Sequence, residues 1–191
     1  MHTMLLVDAL RLRAAFSVCY AVIVNLEAIR KTEVTKLAQS NIFEAGAAEI
    51  PQLFADYIEP SERGETSLAL ALSARALGSA ERNAIEKSLA ALGLGEHSCT
   101  YATLYPQVNG LGTELDAQAL FLLVEGLDPL RLIVADTQTL EIVARAYRMA
   151  LGPDTAARIF GRPAVCFGNL RELLQTNSGK QRAWALFKTL A

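Results

Sequence analysis

The sequence predicts an α/β fold: a three-layer α/β/α domain with a mainly parallel, four-stranded central sheet. Segments typical of strands and helices alternate from about residue 67 to the end of the chain, which is the order of a parallel sheet crossed by helices. The run 130–135 is short and apolar, as strands covered on both faces are, and the run 67–73 strictly alternates leucine with alanine or serine, which also indicates a strand. The chain has 191 residues, of which 52% are hydrophobic and 20% charged, and this is enough to build one folded core.

The predicted elements follow one another with clear boundaries. Strands are expected at 67–73, 100–105, 130–135 and 164–167, and helices at 80–92, 113–126, 138–151, 170–175 and 180–190. Thr113 is expected to cap its helix with Asp116 as the capping-box partner. A short helix is expected to lead from the turn at Gly152 to Phe160, and Trp184 lies at a spacing typical of a core residue.

The N-terminal part, residues 1–60, is predicted to form a helical extension in front of an α/β domain at 61–191. Residues 4–30 are expected to form a long helix that is apolar on most sides, so a protein partner or a second copy of the chain would cover it. A further helical stripe is expected over 50–58. The longest uncharged apolar run, 14–26, has 13 residues. A membrane span needs about 20, so we expect no membrane contact.

The cysteine and histidine content limits the chemistry that the chain can perform. Three widely separated cysteines and two histidines form neither a disulfide framework nor a zinc motif. The odd number of cysteines favours a reducing, cytoplasmic location. We therefore expect no metal and no cofactor.

The net charge of -2 is unevenly distributed along the chain. Residues 1–128 contain 9 basic and 16 acidic side chains (net -7), whereas residues 129–191 contain 9 basic and 4 acidic ones (net +5). A basic face could contact phosphate or an acidic partner, so nucleic acid is a possible ligand. The candidate contacts are Arg162, Arg171, Lys180 and Arg182. Alternatively, these side chains form an ordinary surface that faces the acidic half of the same fold.

A candidate pocket is expected at the carboxyl ends of the strands, where ligands bind in parallel α/β sheets. The polar residues predicted there are Ser73, Tyr105, Asp136 and Asn169. Asp136 could orient a ligand or a water molecule, or it could cap the helix that follows. The sequence contains no complete glycine-rich phosphate loop and no nucleophile elbow, so no catalytic residue is assigned.

The segment 67–191 also resembles a known family. Four segments resemble the end of bacterial uracil-DNA glycosylases of the thermophile type. They are strand 133–135, Gly161–Val165, Leu173–Asn177 and Lys180–Trp184, and in the last of these a lysine precedes an Ala-Trp pair. The end of the chain is also similar to the psi subunit of bacterial DNA polymerase III. The resemblance implies a uracil-DNA-glycosylase-like fold.

The catalytic motifs of that family do not agree with this sequence. Residues 72–78 lack the carboxylate and the aromatic residue of the family's first motif, and residues 166–170 lack the histidine of its second motif. The resemblance therefore implies a catalytically degenerate relative. We expect a non-enzymatic interaction or scaffold module with a link to DNA replication or repair. The alternative is a hydrolase, or a nucleotide- or DNA-binding protein, that uses a non-standard pocket at the strand ends.

Overall fold

A computed structural model describes residues 52–59, 68–95, 97–106 and 114–191. Within these residues the chain forms one five-stranded sheet, whose strands are β1 (Ala69–Ser73), β2 (Cys99–Thr103), β3 (Arg131–Val134), β4 (Thr155–Ile159) and β5 (Arg162–Cys166). Their order in the sheet is β2-β1-β3-β5-β4. The first, second, third and fifth strands run parallel, and β4 is antiparallel to β5. The predicted α/β class with a mainly parallel sheet is confirmed.

Helices pack against both faces of this sheet. They are α1 (Ser79–Ala91), α2 (Ala117–Leu127), α3 (Thr137–Tyr147), α4 (Leu170–Leu173) and α5 (Asn177–Phe187), followed by a 3-10 turn at Lys188–Leu190. Apolar side chains of α1, α4 and α5 form one cluster with alternate residues of β1, β3 and β5. The helices α2 and α3 contact each other, and α3 contacts β1. The arrangement is compatible with a three-layer α/β/α fold.

The fifth strand, β4, was not expected. The predicted short helix before Phe160 is wrong, because residues 155–159 pair antiparallel with β5. The connection is a tight turn in which Phe160 and Gly161 have φ values of 47° and 83°. Two consecutive positive φ values are typical of a two-residue hairpin turn. Since most of β4 lies at the surface, it lacks the apolar alternation that would predict a strand.

The start of α2 also differs from the expected capping box. Asp116 is itself the N-cap residue, and its Oδ1 accepts a hydrogen bond from the backbone N–H of Ala119 at 2.8 Å. The helix therefore begins at Ala117, and the role predicted for Thr113 lies outside the described residues.

The segment 52–59 joins the outer side of β2. The backbone N–H of Thr103 donates to the carbonyl of Tyr57 at 2.8 Å, and Glu59 N–H donates to the Tyr101 carbonyl at 2.9 Å. Ile58 forms an antiparallel bridge with Ala102, so it does not continue the helical stripe predicted for 50–58.

The long helix predicted for 4–30 lies outside the described residues. In the described part of the chain, no helix combines the length and apolar character needed to cross a membrane.

Candidate functional site

The sheet has a topological switch point between β1 and β3. The chain runs from β1 to β2 on one side and then crosses to β3 on the other side of β1. In open α/β sheets such a reversal creates a crevice beyond the carboxyl ends of the two central strands, and ligands commonly bind there. In this protein the crevice lies beside Ser73, at the end of β1, and Asp136, just after β3.

Asp136 bridges this switch point with both of its carboxylate oxygens. Oδ2 accepts a hydrogen bond from the backbone N–H of Ala74 at 2.8 Å, directly after β1. Oδ1 accepts one from the backbone N–H of Thr139 at 2.8 Å, in the first turn of α3. Asp136 therefore caps α3, which is one of the two roles that the sequence left open. The same side chain also ties the end of β1 to the start of that helix.

Asn169 and Ser73 lie near Asp136 and also form hydrogen bonds within the domain. Asn169 pairs with Asp136 in an antiparallel bridge, and its Oδ1 caps α4 by accepting from the Glu172 N–H at 3.2 Å. Ser73 is buried, and its carbonyl accepts from the Leu104 N–H at 2.9 Å. Asp136, Asn169 and Ser73 thus lie close together, and the side-chain oxygens of Asp136 and Asn169 bond to backbone N–H groups.

Tyr105 lies at the rim of this neighbourhood. Its hydroxyl oxygen accepts a hydrogen bond from Gln138 Nε2 at 2.8 Å, and its backbone N–H donates to the Ala74 carbonyl at 3.0 Å. A hydrogen bond to Glu114 raises the pKa of the Tyr105 hydroxyl, so the phenol loses its proton only at a higher pH than an ordinary tyrosine.

Further backbone bonds hold the ends of β3 and β5 together. The N–H of Leu170 donates to the Ala135 carbonyl at 3.0 Å, and the N–H of Thr137 donates to the Gly168 carbonyl at 2.9 Å. Gly168 in turn donates its own N–H to Asp154 Oδ1 at 3.1 Å. These hydrogen bonds satisfy backbone polar groups at the strand ends and so stabilise this edge of the sheet.

The buried thiols are poor nucleophiles. Cys99 and Cys166 are both free and buried. Burial raises the pKa of the Cys166 thiol to about 11 and also raises the pKa of the Cys99 thiol. Nucleophilic attack and metal binding require the thiolate, which these surroundings disfavour. Among the residues that the structure describes, no three His, Cys, Asp or Glu side chains group closely enough to hold a metal ion.

Arg162 lies in a network of acidic side chains. Its Nη1 and Nη2 contact the two carboxylate oxygens of Glu125 at 2.7 and 2.9 Å, and Nη2 also contacts Asp128 Oδ1 at 2.8 Å. The hydroxyl of Tyr147 donates to the same Glu125 carboxylate at 2.7 Å. A two-pronged guanidinium–carboxylate contact of this kind fixes the orientation of the arginine.

Arg171 and Arg182 are also paired with acidic side chains. Arg171 Nε contacts Oε1 of the buried Glu81 at 2.5 Å, and Arg182 Nη2 contacts Asp154 Oδ2 at 3.1 Å. Burial raises the pKa of Glu81, but hydrogen bonds from Arg171 and from the backbone outweigh that effect, so the pKa is lowered overall. Three of the four arginine and lysine residues proposed as phosphate contacts are therefore bound to carboxylates of the same domain.

The fourth residue, Lys180, borders an open groove between α1 and α5. The groove has a volume of about 560 Å³ and is lined by Ala80, Asn83, Ala84, Lys87, Ser88, Ala91, Leu174, Lys180, Ala183, Trp184 and Phe187. The side chain expected to be part of the core, Trp184, is 38% exposed here. The repeated small residues of α1 are the sequence signal that could have indicated this groove.

The chain matches no protein-family model and no curated protein.

Proposed function

We propose that this protein is a non-enzymatic interaction module built on a catalytically degenerate uracil-DNA-glycosylase-like domain. The observation that carries the proposal is the use of Asp136. Its two oxygens accept hydrogen bonds from the N–H groups of Ala74 and Thr139, so the carboxylate at the switch point has a structural role. A general base or a water-positioning acid needs an oxygen that can reach the substrate.

A link to DNA replication or repair is part of this proposal. Its support is the resemblance of residues 67–191 to bacterial uracil-DNA glycosylases and to the psi subunit of DNA polymerase III. The mostly parallel sheet is compatible with such a domain. The ion pairs of Arg162, Arg171 and Arg182 reduce the positive charge that is free to bind phosphate, and this favours a protein partner over a nucleic acid.

Activity assays test the non-enzymatic part of the proposal. We expect the full chain to release no base from oligonucleotides that contain uracil or other modified bases, and to turn over no nucleotide. An active uracil-DNA glycosylase serves as the positive control. Base release or nucleotide turnover that disappears in a folded Asp136→Asn variant would show that the strand ends form an active site, and would overturn the proposal.

Chemical cross-linking in cells of the source organism tests the interaction part. We expect a partner protein to be linked to the chain at a defined stoichiometry, and cross-linked peptides to identify the contacting surface. Recovery of the chain as a free monomer, in cells where the cross-linker links a known complex of similar abundance, would count against a binding role.

A further inference from the structure

We propose that the groove between α1 and α5 binds an amphipathic helix of a protein partner, and that this helix has Asp or Glu residues beside its apolar face. This inference rests on the proposed binding role and specifies the surface and the class of partner. The shape, the exposed aromatic side chain and the charge of the groove each support it.

The shape of the groove suits a helix. From Ala80 to Ala91, α1 lines it with mostly small side chains, over about three helical turns or roughly 16 Å. On the other side of the groove, α5 contributes the buried side chains of Ala183 and Phe187. Small residues along one wall leave room for the ridges of an incoming helix, whose anchors recur every three to four residues.

Trp184 provides an anchor at this surface. Its side chain lines the groove and remains 38% exposed, although its neighbour on the same face of the helix, Phe187, is only 1% exposed. Tryptophan is enriched among the residues that dominate binding energy at protein interfaces, because it removes a large apolar area from water on binding. A partner helix would cover the apolar surface that the domain leaves open here.

The charged side chains that line the groove are the two lysines, Lys87 and Lys180. The two acidic residues of α1 face other parts of the domain: Glu81 contacts Arg171, and Glu86 accepts a hydrogen bond from the Tyr101 hydroxyl at 2.7 Å. The segment 177–191 contains three basic residues and no acidic residue, and of these three Arg182 is paired with Asp154. Carboxylates beside the apolar face of a partner helix would complement this positive charge.

Other occupants fit the groove less well. A second copy docked by twofold symmetry would bring the lysines of both grooves together, and like charges repel. The apolar N-terminal segment 4–30 has two acidic residues and three arginines, so its net charge is positive, as is that of the groove. Single-stranded nucleic acid is bound by several stacking aromatics along a basic channel, whereas this groove is lined mostly by alanine and other apolar side chains.

Fluorescence of Trp184, the one tryptophan of the chain, reports directly on the groove. The probe is a synthetic amphipathic peptide of about 18 residues with leucines on one face and flanking glutamates, a length at which a helix can form. Its twin has lysine in place of every glutamate, and a third peptide has the first one's composition in scrambled order. We expect a saturable blue shift with the glutamate peptide, and a Kd at least tenfold lower than with either of the others.

Charge reversal provides the sharper test. In the double variant Lys87→Glu with Lys180→Glu, the lysine peptide should become the tighter ligand. The matched control is Arg148→Glu with Arg158→Glu, which changes the net charge equally at two exposed residues outside the groove lining. This control should keep the preference for the glutamate peptide.

Three results would overturn the inference. These are no emission change with the glutamate peptide up to about 1 mM, an unchanged ranking of the peptides in the Lys87→Glu, Lys180→Glu variant, and a tighter response to a thymidine oligonucleotide than to the glutamate peptide. If the groove fails this test while cross-linking still captures a stoichiometric partner, the binding role stands and another surface carries it. If base release is found instead, the proposed function fails whatever the peptides do.

Discussion

Replacing Gly179 with alanine is expected to destabilise the domain by about 3 kcal/mol, because the new methyl group has no space. A Cβ atom at this position would lie 2.0 Å from the carbonyl oxygen of Leu173 and 2.8 Å from its carbonyl carbon. Both are backbone atoms at the end of α4, so the two helices would have to move apart. The N–H of Gly179 also donates to Oγ1 of Thr176, the N-cap residue of α5, at 3.0 Å. Equilibrium denaturation in guanidinium chloride, followed by far-UV circular dichroism, measures the loss.

The sign of this effect is informative in itself. In a helix without a steric conflict, glycine to alanine is stabilising by up to about 1 kcal/mol. Gly152→Ala is the matched control, since its Cβ would meet no atom closer than 3.7 Å. We expect that control to change the unfolding free energy by less than about 1 kcal/mol. A Gly179→Ala variant as stable as the control would contradict the close contact between α4 and α5.

Replacing Asp136 with alanine is expected to lower the unfolding free energy by about 2–4 kcal/mol. The variant loses the N-cap of α3, which is worth about 1 kcal/mol, and leaves the N–H of Ala74 without its acceptor, at a further cost of about 1–3 kcal/mol. Asp136→Asn retains one acceptor oxygen for two donors, so its loss should be roughly half as large.

This graded series separates a structural role from a catalytic one. Glu141→Ala, an exposed acidic residue on the same helix, is the control and should change the unfolding free energy by less than about 0.5 kcal/mol. If Asp136→Ala were as stable as this control, the two hydrogen bonds would contribute little, and Asp136 would be better explained as a ligand-binding residue.

The sequence predicted the strands whose residue pattern reflects their burial in the sheet. The apolar run of β3 and the alternation of β1 identified them because both strands are buried and their side chains are apolar. The strand β4 was missed because its stability comes from pairing with β5 through an unusual turn with Phe160 at positive φ. Tertiary pairing of this kind leaves little trace in the local sequence pattern.

The candidate site could be predicted only in part from the sequence, because several of its contacts join residues that are distant along the chain. The capping role of Asp136 is local and could be weighed from the sequence, whereas its contact with Ala74 joins residues 62 positions apart. The groove was missed because the walls formed by α1 and α5 come from distant parts of the chain and meet only through the sheet topology. Trp184 has the helical spacing of a core residue, and spacing does not show whether a neighbouring element covers the side chain.

Amide hydrogen exchange at Ala74 tests the central claim most directly, namely that the Asp136 carboxylate is hydrogen-bonded within the fold at the switch point between β1 and β3. The Ala74 N–H is held by the Asp136 carboxylate at 2.8 Å, so it should exchange as slowly as the buried amides of β1, through global unfolding. It should exchange faster in Asp136→Ala while the amide of Ile133 in β3 keeps the rate set by the variant's global stability. Exchange of the wild-type Ala74 amide as fast as that of the exposed Ala76 would show an open crevice and contradict the account.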